Sequence, residues 1–329
     1  MKTLKNKWAV RITIAYLAIT MISCNSDSGE EGIKLPPTKE AFSNLKKEAL
    51  EKLVQEFQID ASDGMVTLTS EKGVEIGINT ACLTELNGSS ITGNIDIKFV
   101  ELFNKGNMAL TNKPTMGMLP DGNKAMLLTG GEFLIKASNN GNELKTNCGI
   151  SLKIPTALTN GDDPSMILWN GTIDEDDNLT WEEDKRGPQG AGGEIFVSDG
   201  KYNAIVSGFG WSNVDRFYSD PRPKTTLKVK PPTGYDFTNS AVYLSYDGES
   251  TGLANLDTYD EDGDYFSEHY GQIPIGLECH VIFMTEDSGN WSYAIKSVTI
   301  AANDVITFTL GELTTGTATQ LETAIDNLP

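Results

Sequence analysis

Apolar residues first fall into a helical rhythm. Phe42, Leu45, Ala49, Leu53 and Phe57 recur at three- and four-residue steps, with Leu50 and Val54 beside them. Lys46, Lys47, Glu48, Glu51 and Lys52 take most of the opposite surface. Such a stripe predicts one amphipathic helix, entered through Pro36-Pro37 and an N-cap at Thr38, with Glu40 in its first turn. From about residue 59 the period becomes two. Met65–Thr69 and Val74–Ile78 flank a turn at Glu71-Lys72-Gly73, and Asn94–Phe99 alternates polar with apolar. Gly131–Ala137 and a short strand at Leu144 bracket Asn139-Asn140-Gly141, a strong hairpin signature. Ile150–Ile154, Met166–Asn170, Leu179–Glu183, Ile195–Ser198 and Tyr202–Gly208 continue the pattern. Thr225–Lys230, Ala241–Tyr246, Glu278–Met284, Ser292–Ile300 and Val305–Leu310 extend it further. Leu321, Ala324, Ile325 and Leu328 support a short terminal helix.

Many short strands with few helices between them predict a mainly β protein. The expected architecture is two antiparallel β-sandwich-like units with one N-terminal amphipathic helix and a short C-terminal helix. Residues 38–157 would hold the helix and the first β domain. Residues 158–222 read as hairpins and a connecting region, because Lys185–Gly193 (KRGPQGAGG) has loop composition. Residues 223–329 read as a second, immunoglobulin-like β domain.

The start of the chain has a different character. Lys2, Lys5, Lys7 and Arg11 precede the mostly apolar run Ile12–Ile22, which is too short to span a bilayer and suits a signal peptide over 1–23. Met21-Ile22-Ser23-Cys24 resembles a bacterial lipobox, with Met21 where Leu is more usual. The resemblance implies cleavage before Cys24 and its acylation, so Cys24 is the expected lipid attachment and the lipid bilayer the expected partner. Residues 24–37 then read as a flexible tether, and Asp27, Glu30 and Glu31 resemble the acidic export signal of Bacteroidota surface lipoproteins. An acidic linker with no address function reads equally well. The expected location is the outer membrane, at the cell surface rather than the periplasmic face.

Three longer stretches resemble Bacteroidota surface lipoproteins built from β-sandwich modules: Gly93–Gly117 (GNIDIKFVELFNKGNMALTNKPTMG), Gly130–Leu144 (GGEFLIKASNNGNEL) and Gly208–Val229 (GFGWSNVDRFYSDPRPKTTLKV). Together with the final Ile300–Pro329, the likeness covers most of the mature chain and implies a fold but no transferable activity. Gly73–Leu83 (GVEIGINTACL) is faintly similar to a ZU5-type module, with Asn79 in place of the usual Pro.

Charge narrows the functional classes. The chain carries 26 Lys+Arg against 46 Asp+Glu, a formal net charge of −20. Without a basic stripe, nucleic-acid binding is excluded as an expectation. Cleavage before Cys24 would remove four cations and no acid, making the mature chain more acidic still. Asp257, Asp260, Asp262 and Asp264 surround Gly263 and could offer oxygens to Ca2+. An EF-hand alignment places His269 where a bidentate Glu is needed, so a plain acidic loop is the better reading; no other cofactor is expected. Cys82, Cys148 and Cys279 remain after lipidation: Cys82–Cys148 is the preferred disulfide because both fall in the first β domain, and three buried small hydrophobes is the equal alternative. His269 and His280 lie outside any nucleophile motif, and no residue is assigned a catalytic role. Trp169, Trp181, Trp211 and Trp291 could form a sugar platform or fill cores. The expected function is a non-catalytic lipoprotein in adhesion, assembly or ligand presentation with an unknown protein or glycan ligand; the alternative is a glycan-binding accessory of a polysaccharide-uptake system.

Overall fold

A computed structural model describes residues 35–175, 177–186 and 193–329. Cys24, residues 1–23 and all but the last residues of the expected tether lie outside this range. The Thr38 hydroxyl accepts the Ala41 N–H at 3.2 Å and caps α1 (Lys39–Glu51), whose Phe42 and Ala49 turn inward. Two further helices, α2 (Lys105–Thr111) and α3 (Ala318–Asp326), join α1 in a layer over one sheet. Phe42 meets the Trp291 ring edge-on at 6.1 Å, and Met108, Leu110, Leu321 and Ile325 fill the rest of this seam. Among the described residues no helix is long and apolar enough to cross a membrane.

α2 and α3 are clasped. Asp326 accepts the Asn104 amide at 2.8 Å and the Gly106 N–H at 2.7 Å, while Glu322 accepts the Asn107 amide at 2.8 Å. A Cβ on Gly106 would stand 2.8 Å from the Glu322 carbonyl oxygen, so the close approach requires glycine.

The protein is mainly β, and its sheets stack as two sandwich-like pairs. The first pair combines a nine-stranded and a five-stranded sheet. Between them lie Ile76, Ile78, Ile97, Phe99, Phe133, Ile135, Leu152, Tyr202 and Val214. The alternating strands read from the sequence account for much of this, and the Asn139–Gly141 turn forms with positive φ at Asn140 and Gly141. Cys82 and Cys148 are joined by a disulfide, whereas Cys279 is a free, buried thiol. The reading of 158–222 as a connecting region needs correction. Ile167–Ile173, Leu179–Glu183 and Gly210–Phe217 belong to the nine-stranded sheet, and Glu194–Ser198 and Lys201–Val206 to the five-stranded one. The strands on either side of 185–193, Leu179–Glu183 and Glu194–Ser198, lie in the two facing sheets of one sandwich, so no domain ends between them.

Part of the nine-stranded sheet closes on itself. Met116–Met118 pairs antiparallel with the long strand Lys124–Asn139, and it also pairs in parallel with Leu179–Glu183 through Gly117 and Trp181. The circuit runs on through Ile167–Ile173 and Gly210–Phe217 back to the long strand. Leu127, Trp169, Leu179, Trp181 and Trp211 share the inner side of this five-strand ring. Gly117 and Gly171 leave the room: added Cβ atoms would stand 2.7 Å from Leu127 and 2.6 Å from Trp211.

The second pair packs a four-stranded sheet (Thr258–Asp260, Tyr265–Pro274, Lys224–Lys230, Asp304–Thr307) on a five-stranded one that includes Ser240–Tyr246, Glu278–Asp287 and Asn290–Thr299. Leu227, Val229, Tyr235, Val242, Leu244, Phe266, Val281, Phe283 and Phe308 form its core.

Candidate functional site

The acidic loop sits on the second sandwich, on a ridge formed by the strand Thr258–Asp260. Its carboxylates do not converge. Asp257 is held by Lys124 and by the Tyr270 hydroxyl. Asp260 accepts the Gly263 N–H at 2.7 Å and the Tyr265 hydroxyl at 2.8 Å, and Asp264 accepts the Tyr259 hydroxyl. Asp262 is exposed to solvent. Among the described residues no three of His, Cys, Asp or Glu form a metal-holding group. Asp257, Asp260, Asp262 and Asp264, which could have offered oxygens to one Ca2+, do not meet at one point: Asp257, Asp260 and Asp264 are drawn to separate protein donors.

The ridge divides two open clefts. One, of about 280 Å3, is lined by Phe42, Lys46, Phe237, Asp257, Tyr259 and Glu261, among others. The other, of about 690 Å3, is lined by Lys228, Tyr259, Glu261, Tyr265, Glu268 and His269, among others. Phe237 is 43% exposed and its ring lies 5.7 Å from that of Tyr259. Glu268, buried behind the second cleft, accepts the backbone N–H groups of Gly271 and Gln272. Burial outweighs those bonds, and its carboxyl is pushed up to about 7. The four described tryptophans are buried: Trp169, Trp181 and Trp211 serve the ring and Trp291 the helix layer. They cannot form a sugar platform.

Both histidines have local partners. His269 Nδ1 lies 3.0 Å from the Thr258 hydroxyl, and His280 Nδ1 lies 2.8 Å from Asp247 Oδ1. Ser245 stands opposite His280 in the ladder, but its hydroxyl accepts from Lys105 at 2.7 Å and is sealed from solvent. Burial depresses the Lys105 pKa against the opposing charges of Asp247, Asp326 and Glu249. A hydroxyl closed off in this way is a structural acceptor, not an accessible nucleophile.

A second polar group lies inside the ring, and sequence reading did not single it out. On the long strand Leu127 and Thr129 face inward, and two residues later Gly131 should follow them. Instead Asn213 pairs with Glu132 and Asp215 with Thr129, so the long strand carries an extra residue at Gly130-Gly131. Such a bulge re-aims the side chains beyond it. Glu132 and Leu134 now face inward, while Phe133 and Ile135 face the sandwich core. Gly131 has φ +136°, and added Cβ atoms at Gly130 and Gly131 would meet Tyr202 at 2.9 Å and Phe133 at 2.5 Å.

Glu132, Asn213 and Asp215 are each 0% exposed, as is Thr129. The Thr129 hydroxyl donates to Asn213 Oδ1 at 2.8 Å, and Asn213 Nδ2 donates to Asp215 Oδ2 at 2.6 Å. Both carboxylate oxygens of Glu132, and Oδ1 of Asp215, have no hydrogen-bond partner. Burial, reinforced by Asp215, holds the Glu132 carboxyl well above its usual range against the attraction of Lys113. Burial does the same to Asp215, against the hydrogen bonds from Thr129 and Asn213. The available signal was Gly130-Gly131-Glu132 between the apolar runs Met126–Leu128 and Phe133–Ile135: paired glycines before an acid fit a bulge. No protein-family model matches the chain, and no curated protein is significantly similar to it.

Proposed function

We propose that this is a non-catalytic binding protein, anchored to the outer membrane through an acylated Cys24 and displayed at the cell surface for adhesion, assembly or ligand presentation. The anchor rests on the basic and apolar opening of the chain and on Met21–Cys24. The ridge at Thr258–Asp260 carries the binding part of the reading, because its two clefts share Thr258, Tyr259 and Glu261 and combine rings with acids. Open clefts with few convergent groups suit recognition better than chemistry.

A neutral glycan is the second reading of the ligand. Phe237 and Tyr259 offer partly exposed rings for stacking, and the surrounding acids offer acceptors for hydroxyl groups. Acids outnumber the single lysine of each cleft, Lys46 in one and Lys228 in the other, which disfavours an anionic ligand.

Radiolabelled palmitate fed to cells should enter the wild type and not Cys24→Ala; equal labelling would remove the anchor. Protease shaving of intact cells should then release the folded part, and full protection would place it on the periplasmic face. On a glycan array, binding that saturates in the wild type and is lost in Tyr259→Ala would establish the second reading. Silence across the array in a folded protein would leave protein partners as the ligand class.

A further inference from the structure

We infer that the interior of the five-strand ring is a site for a hard divalent cation of the Ca2+ kind, held by Glu132 and Asp215 with Asn213 and Thr129. The starting observation is three carboxylate oxygens with no partner, on two side chains sealed from solvent. A buried carboxylate without hydrogen bonds is among the least favourable groups a fold can keep. Protonation does not resolve the problem. Each neutral carboxyl would present an O–H that itself needs a partner, and these three oxygens have no hydrogen-bond partner. Lys113 does not resolve it either, because its ammonium is bonded to the Asn112 carbonyl and to Asp177 Oδ1, each at 3.3 Å.

A divalent cation answers both requirements. Its charge balances two carboxylates, and it is coordinated by the oxygens left over. Asn213 Oδ1 and the Thr129 hydroxyl oxygen are neutral donors within the same hydrogen-bonded group. A donor set of oxygens alone, without nitrogen or sulfur, favours Ca2+ over Zn2+, and water completes such a shell. The group contains two acids rather than three, so the neutral oxygens have to complete the donor set. The Gly130-Gly131 bulge has a role in this assignment: it turns Glu132 from the sandwich core to the ring and delivers the second carboxylate. The cation would tie the long strand Lys124–Asn139 to Gly210–Phe217 at the point where their register shifts.

The test uses the full chain in detergent, with CaCl2 as the probe. Protein dialysed against metal-free buffer should retain about one calcium per chain by mass spectrometry. EDTA should lower its melting temperature, and CaCl2 should restore it. Glu132→Gln should bind at least about ten-fold more weakly and melt at the same temperature with or without calcium. Asp215→Asn should behave likewise. Asp260→Ala combined with Asp262→Ala should keep the wild-type response. A wild type with no bound calcium and no melting shift in millimolar CaCl2 would overturn the assignment, and it requires no variant to fold. So would an undiminished shift in Glu132→Gln.

Discussion

The first sandwich carries the Cys82–Cys148 disulfide and encloses three tryptophans in a ring, whereas the second keeps Cys279 as a free thiol and leaves Phe237 and Tyr259 partly at its surface. Polar groups follow the same division. In the first, Glu132 and Asp215 are sealed within closed strands; in the second, Asp257, Asp260 and Asp264 are held at the rim by tyrosines and a lysine. A closed, cross-linked body restricts motion, and an open ridge leaves rings and acids for a partner. The closed, cross-linked strands and the partly exposed rings thus lie in different sandwiches.

Opening the ring is the strongest way to break this contrast. Trp181 is fully buried, with its indole N–H on the Pro114 carbonyl at 3.1 Å, so Trp181→Ala should cost about 4 kcal/mol in urea unfolding. Phe237→Ala, on the exposed ridge, should lie within about 0.5 kcal/mol of the wild type. The disulfide closes a loop between residues 66 apart, and the chain-entropy argument gives about 4 kcal/mol for its removal. Cys82→Ser with Cys148→Ser should show this loss by calorimetry, and a negligible change would mean that the ring alone stiffens the first sandwich.

A smaller effect belongs to the second sandwich. Folding raises Glu268 from 4.5 to about 7, so the folded protein favours its protonated form. The stability it contributes is complete below about pH 4.5 and is lost as pH rises through 7, by about 3 kcal/mol at most. Glu268→Gln should flatten that fall in melting temperature between pH 4.5 and 8; an unchanged slope would assign the pH dependence to other groups. A modest effect is expected at Cys279, whose thiol burial pushes up to about 12. Cys279→Ala should cost about 1 kcal/mol, and the native thiol should resist iodoacetamide at pH 8 until the protein unfolds.

These contrasts were unevenly legible in the sequence. Period-two stretches such as Asn94–Phe99 and the Asn140-Gly141 turn follow from local rules that tertiary structure does not override. The Thr38 cap and the α1 stripe are equally local. By contrast, Gly210–Phe217 could not be placed in the first sandwich, because its pairing with residues 127–135 is set by ring closure. α2 was also missed: seven residues, buried almost all round, carry no amphipathic stripe. The acidic loop was visible as composition, but the tyrosines that separate its carboxylates come from the pairing of Thr258–Asp260 with the strand beginning at Tyr265. Glu132 was read as one alternating strand residue, because a bulge reverses the facing of everything after it and cannot be counted from residue types alone.

The clasp between α2 and α3 sets an order of events in time. It joins positions 222, 220 and 215 residues apart, so an isolated seven-residue helix must wait for a partner made much later in synthesis. Until α3 arrives, Met108 and Leu110 lack part of their cover, and Met116–Met118, a few residues on, closes the tryptophan ring only where Leu179–Glu183 can reach it. Closure over such separations is slow and comes after local hairpins have formed. The packing around Met108 and Leu110 is therefore completed only when the last helix has been made.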